Sequence, residues 1–175
     1  MSETEASTTA AEGVSPTSGA VERPVFEMVP VPGVGRLFTG ERRVRLGDVD
    51  PSGRLRFDAL TRYTQDVSND DTRDAGLVDD LAFVVRSTTV DEIVPGVFGE
   101  ILTISTFCGR LGKRWAERRL TVSGSEGARY EVATLWVYVD TATGRPRALA
   151  DDFLGHYGEA AVGQTVKAKQ TIPKP

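Results

Sequence analysis

Residues Phe57–Ala75 contain neither glycine nor proline, and four strand-like runs follow them before the chain turns polar again. That order dictates the architecture. Phe57, Leu60, Val67 and Ala75 recur at helical spacing, with Thr64 and Asp71 diluting the stripe, and Gly76 supplies a helix stop. The spacing predicts a helix over Phe57–Ala75. Upstream, Glu41–Gly47 alternates, with Val44 and Leu46 on one face and Arg43 and Arg45 on the other, which predicts a first strand. Downstream, strands are predicted over Leu81–Ile93, Gly99–Cys108, Trp115–Ser123 and Arg129–Asp140. The last of these is apolar on both faces and is expected to be buried on both sides. Pro95-Gly96, Gly109 with Gly112, and Gly124 with Gly127 mark the turns. Short turns predict that consecutive strands are antiparallel neighbours. One helix and one curved sheet give a two-layer α+β domain, with a long central helix wrapped by five or more antiparallel strands.

The ends differ from this core. Residues Met1–Arg23 have no aromatic residue, leucine or isoleucine, so they are expected to remain a disordered tail. They lack the basic start and apolar core of a secretory signal. Their net charge is −3 of the chain's −4, so the remainder is close to neutral. Pro24–Gly35 reads as an extended lead-in to a domain spanning 24–157, and 158–175 reads as a C-terminal tail.

Several function classes are excluded. The longest nearly uninterrupted apolar run, Val132–Val139, is far shorter than the roughly 20 residues of a membrane helix. One cysteine, Cys108, permits no disulfide within the chain, and one histidine, His156, permits no multi-histidine metal site. A pI near 5.1 argues against nucleic-acid binding. No cofactor is implied, and the expected setting is cytoplasmic.

The chemistry-bearing stretch is Gly47-Asp48-Val49-Asp50-Pro51-Ser52-Gly53, between the first strand and the helix. Pro51 fixes the turn and Gly53 permits a positive φ. They would hold the Asp50 carboxylate beside the helix start, where free backbone N–H groups and the positive dipole end could polarise an acyl carbonyl. A base or nucleophile beside an oxyanion donor is the minimal apparatus for thioester hydrolysis. The same residues also read as plain turn-forming and helix-capping chemistry.

Asp48–Gly53 followed by Phe57 resembles the strand-to-helix loop of the 4-hydroxybenzoyl-CoA thioesterase family. That resemblance implies a catalytic aspartate at Asp50 and a carbonyl-polarising N–H at Phe57, with Gly53 at the substrate. A wider match is similar to the acyl-ACP thioesterases of plants and bacteria. It runs through Leu60–Leu77 (LTRYTQDVSNDDTRDAGL), Val84–Gly99 (VVRSTTVDEIVPGVFG), Thr106–Arg119 (TFCGRLGKRWAERR), Trp136–Asp140 with Thr143–Pro146 (TGRP), and Phe153–Tyr157. The resemblance implies a hotdog fold, with the helix as the sausage and the sheet as the bun. Its substrate would be a fatty acyl thioester on acyl carrier protein or CoA, within lipid metabolism such as fatty acid biosynthesis.

The match is to the first of that family's two hotdogs. In plant members the catalytic Asp, Asn and His are assigned to the second. The loop here reads Gly53-Arg54-Leu55-Arg56-Phe57, and the helix carries Asp70-Asp71 where the family has Asn-His. Any catalysis would have to use carboxylates. Asp66 is the second candidate base, with Gln65 as an amide that orients water or carbonyl and Asn69 four residues on along the same face. Arg110, Lys113 and Arg114 form a basic hairpin followed by Arg118 and Arg119, which could grip CoA phosphates or the acidic face of a carrier protein. His156, Cys108, Trp115 and Trp136 read as surface, core or tunnel-wall residues. A lone hotdog leaves a sheet edge uncovered, so a homodimer or higher even oligomer is expected. The alternatives are a non-catalytic acyl-thioester binder and a hotdog hydratase or dehydratase; the latter usually needs a histidine on the loop or helix.

Overall fold

The structure, a computed structural model, describes residues 31–77 and 82–162. The expected tail over 1–23 and all but the start of the tail over 158–175 lie outside the described residues.

The element order is β1 (Leu37–Arg43), α1 (Phe57–Asp74), β2 (Phe83–Val94), β3 (Ile101–Leu111), β4 (Trp115–Gly124), β5 (Arg129–Tyr138) and α2 (Asp151–Tyr157). The five strands form one antiparallel sheet in the order β1-β3-β4-β5-β2. The sheet carries α1 on one face, which is the hotdog arrangement.

Three expectations need correction. The first strand lies four residues earlier than its alternating pattern suggested. Val44 is buried at 1% exposure, but Leu46 is 74% exposed. The backbone leaves the sheet at Val44, whose N–H donates to the Glu100 carbonyl at 2.8 Å. Residues Leu46–Asp48 then form a single 3-10 turn. Second, β2 and β3 follow each other in sequence but are not neighbours. β2 pairs with β5 at one edge, and β3 sits between β1 and β4. Third, residues past β5 form α2, and Glu159–Ala161 add a further 3-10 turn whose Ala161 is buried.

The core has two parts. Ala59, Leu60, Tyr63 and Val67 of α1 pack on Leu102, Ile104, Leu120, Val122, Tyr130 and Val132 of the sheet. The second part lies toward the C-terminal end of α1, where Phe153 and Tyr157 of α2 pack with Cys108, Ala116 and Tyr138. Burial of such apolar side chains contributes about 1.5–3 kcal/mol each. A buried carboxylate stitches the turns at one end of the sheet. Glu100, 2% exposed, accepts the N–H groups of Val97 at 3.0 Å, Glu126 at 2.8 Å and Ala128 at 3.0 Å.

Candidate active site

The loop between β1 and α1 separates its two aspartates. Asp48 turns inward and is buried. Its carboxylate accepts the Arg45 N–H at 3.0 Å, the Tyr63 hydroxyl and the Arg62 guanidinium. Burial opposes ionisation of Asp48. The Tyr63 hydroxyl, the Arg45 N–H and Arg62 outweigh it and hold the carboxyl below its usual range. The Tyr63 phenol is pushed up to about 12 by burial and by that same carboxylate.

Asp50 faces the other way. Its Oδ1 accepts the Ser52 N–H at 2.8 Å, the Ser52 hydroxyl at 2.6 Å and the Arg54 N–H at 3.1 Å. The Ser52 hydroxyl, with Arg54 behind it, holds Asp50 below the ordinary carboxylate range. Gly53 closes the turn at a φ of +82°, donating its N–H to the Asp50 carbonyl at 2.9 Å. Phe57 opens α1, so its N–H is among the helix-start donors that have no intrahelical acceptor; its ring is 56% exposed.

Among the described residues, two cavities border both α1 and the sheet. The first, about 200 Å³, is bordered by the helix face Gln65, Ser68, Asn69 and Thr72, and by aromatic walls at Phe83, Trp136, Phe153 and Tyr157. The second, about 350 Å³, extends toward the start of α1 past Thr61, Arg62 and Thr64. Gln65, Ser68 and Trp136 border both. The Gln65 Nε2 donates to Asn69 Oδ1 at 3.2 Å, so the pair read from helical spacing lies together against the first cavity. Asp50, Gly53, Phe57 and Asp66 border neither cavity. Asp66 is half-buried on α1.

The other helix acids are engaged structurally. Asp70 pairs with Arg42 at 2.6 Å. Asp71, 1% exposed, accepts Arg36 Nε at 2.6 Å, the Tyr157 hydroxyl at 2.9 Å and the Arg118 guanidinium. Arg118 also stacks over the Tyr157 ring at 5.2 Å. Asp71 overcomes the desolvation of the Arg118 guanidinium and keeps its pKa raised.

These pairings change the expected basic cluster. Arg118 points inward to Asp71, and Arg119 is held by Glu117 at 2.6 Å. Arg110 lies 3.9 Å from the same Glu117. Lys113 and Arg114, at the hairpin tip, are exposed. Cys108 borders the first cavity, and burial pushes its thiol up to about 12. His156 is exposed on α2. Among the described residues no cluster of His, Cys, Asp and Glu could hold a metal ion, and no helix is long and apolar enough to cross a membrane.

Sequence reasoning missed Asp48, Asp71 and Glu100 as buried carboxylates. Only Asp71 carried a local signal, as a charge interrupting the apolar stripe of the helix.

The profile of the acyl-ACP thioesterase N-terminal domain matches residues 35–157. An uncharacterised protein of Mycobacterium tuberculosis, Rv2001, is 29% identical over 149 residues, covering 85% of this chain and 60% of that protein. The chain therefore spans under two thirds of that relative. The 12:0-ACP thioesterase from Umbellularia californica superposes with a TM-score of 0.66 at 20% identity, covering 79% of this chain and 60% of that one. The Staphylococcus aureus protein SAV2348, solved in complex with CoA, superposes with a TM-score of 0.65 at 16% identity, covering 80% and 98%.

Proposed function

The chain belongs to the acyl-ACP thioesterase N-terminal domain family, and from that premise we propose that it binds the acyl chain of a fatty acyl thioester between α1 and the sheet and hydrolyses the thioester. The observation that carries this reading is the pair of cavities meeting at Gln65, Ser68 and Trp136. Aromatic walls suit an alkyl chain, and the amides of Gln65 and Asn69 suit the polar thioester. The carrier is acyl carrier protein or CoA. The CoA complex of the Staphylococcus aureus protein supports CoA, and exposed Lys113 and Arg114, with Arg110 beside them, suit its phosphates.

A second hotdog unit is part of the proposal, supplied by a homodimer or a higher even oligomer in the cytoplasm. β2 is an edge strand, and Val84, Val85, Ile93 and Val94 on it are exposed. Such an edge calls for a covering partner. The partner would also enclose the Asp50 loop, which stands outside both cavities of a single chain. There Asp50 acts as base or nucleophile, with the Phe57 N–H on the developing oxyanion. Asp66 is the reserve carboxylate. A base contributes about 10²–10⁴ in rate, and an oxyanion donor about 10²–10³.

The second reading is an acyl-thioester binder without hydrolysis. It is favoured by the commitment of Asp50 Oδ1 to three donors of its own turn. A hydrolysis panel of acyl-CoA and acyl-ACP thioesters of graded length separates the two. Asp50→Asn should fold normally and lose at least about tenfold in rate, with Asp66→Asn less affected. Unchanged hydrolysis in Asp50→Asn removes that residue from the mechanism. Intact acyl-CoA held by wild-type protein for hours selects the binder.

A further inference from the structure

Side chains alternate between the two faces of a sheet, and α1 covers only one of them. Phe107 stands between Thr106 and Cys108, Arg119 between Arg118 and Leu120, and Ala133 between Val132 and Thr134. The flanking residues are the ones turned toward the helix: Leu120 and Val132 pack on α1, Cys108 joins the second core, Arg118 reaches Asp71 and Thr106, and Thr134 borders a cavity. Phe107, Arg119 and Ala133 therefore lie on the outer face. They are register partners on adjacent strands, so they form one row across the sheet. Val137 follows on that face, four positions along β5.

An uncovered sheet face leaves its side chains in solvent, and this row is not in solvent. Phe107 is 2% exposed, and Arg119, Ala133 and Val137 are buried with it. Phe107, Ala133 and Val137 belong to neither of the two cores. Among the described residues, α1, α2 and the final 3-10 turn all contribute to those two inner cores. The register partners of Phe107 do not hide its ring: Leu37 is itself exposed, and Arg119 is turned to Glu117. The burial exists within a single chain, so the cover belongs to that chain.

Three stretches lie outside the described residues: 1–30, 78–81 and 163–175. Met1–Arg23 has no aromatic residue, leucine or isoleucine. The second stretch is four residues with two aspartates, and the third holds Val166 and Ile172 among polar and basic residues. Pro24-Val25-Phe26-Glu27-Met28-Val29-Pro30 is different, with four large apolar side chains and one charge. Its prolines favour extended backbone over helix. It is also in reach. Leu37, the first residue of β1, opposes Phe107, and residue 30 lies seven positions before it. Seven extended residues span about 23 Å, whereas β5 is three strands from β1, about 14 Å away.

We propose that residues 24–30 seat on the outer face of the sheet over the row Phe107–Arg119–Ala133, as a strap that supplies the apolar cover this face lacks. The strap seals the face against stacking by a second copy and directs assembly to the β2 edge. It is independent of which thioester the cavities take.

The test uses the full chain. Position 26 is replaced by photoreactive p-benzoylphenylalanine, which keeps an aromatic ring, and the irradiated protein is read by denaturing gel and peptide mass mapping. The expected product is a link within one chain, from position 26 to peptides holding Phe107, Arg119 or Ala133. Links only to other parts of the chain, no link, or only a dimer-sized product would each overturn the strap. A second measurement follows a thiol placed on the row, Ala133→Cys, with peptide mapping to separate it from Cys108. Its maleimide labelling should quicken at least about tenfold when Phe26→Asp is added, as a locally opened cover requires, while far-UV circular dichroism is unchanged. Equal labelling with and without Phe26→Asp overturns the proposal, and so does protection that disappears on dilution, since a second copy would then be the cover. Should Ala133→Cys fail to fold, the photocrosslink decides.

Discussion

Replacing Asp71 by Asn keeps the side-chain volume and removes the charge at the centre of the Arg36–Asp71–Arg118–Tyr157 cluster. The loss falls unevenly on the two cations. Arg36 is 21% exposed and retains Asp74 at 2.6 Å. Arg118 is only 12% exposed, and its other neighbours are the Thr106 hydroxyl at 3.4 Å and the Tyr157 ring. Neither carries a negative charge. Stranding one buried cation after removing its partner is destabilising by about 3–5 kcal/mol. The escape open to Arg36 puts Asp71→Asn at the lower end, about 3 kcal/mol. With a urea m-value of about 2 kcal/mol/M, the unfolding midpoint should fall by about 1.5 M. Equilibrium urea unfolding followed by circular dichroism measures it. The companion double variant, Asp71→Leu with Arg118→Met, removes both charges and should recover most of the loss, because replacing a buried pair with apolar groups is close to neutral. A loss below about 1 kcal/mol in Asp71→Asn would mean the cluster behaves as a surface ion pair. A double variant as unstable as the sum of its parts would refute the desolvation argument.

Gly124→Ala should lower Tm by roughly 5–10 °C in a thermal melt, because its Cβ would collide with the Glu100 carboxylate and approach Ala128 Cβ at 2.7 Å; an unchanged Tm would show that Glu100 can leave its three N–H donors freely. Cys108 should resist maleimide at pH 8 in the folded protein and react once urea is added, since burial holds its thiol near 12; rapid native labelling would contradict that. Asp48 and Asp50 lie below their ordinary range, so each stabilises the fold above the unfolded carboxylate pKa of about 3.9 and loses that contribution as pH falls through the folded value. Urea midpoints between about pH 5 and pH 2 should decline, and Asp48→Asn should flatten the decline.

The helix was legible because Phe57–Asp74 offers no breaker and Gly76 follows it. The four later strands were legible for the same kind of reason, their turns being marked by glycine and proline. β1 was misplaced because Val44 and Leu46 alternate properly, yet only Val44 reaches the core. Where the chain leaves the sheet is decided by the backbone bond from Val44 to Glu100, which lies 56 positions along the chain. The strand order was not legible, since a short turn between β2 and β3 is compatible with either hairpin or crossover. α2 has seven residues with Gly155 inside it, too short to show periodicity. Within the site, the Gln65–Asn69 pair followed from helical spacing alone. The cavity itself did not, because its walls come from α1, four strands and α2 at once. Asp48 and Asp50 look alike in sequence; only the positions of Arg62 and Tyr63 on the helix determine which of them turns inward.

The separation of β2 from β3 bears on how the chain acquires its shape. β3, β4 and β5 are joined by tight turns and can zip together locally. Their outer companions come from far away: Leu37 opposes Phe107, and Phe83 opposes Tyr138. Closing such long loops takes more entropy than closing a hairpin, and distant pairings slow a search. The topology predicts that the three-stranded meander forms first and that the flanking strands join afterwards. During synthesis this is an awkward sequence of events, because β1, α1 and β2 emerge from the ribosome before any strand they will pair with exists.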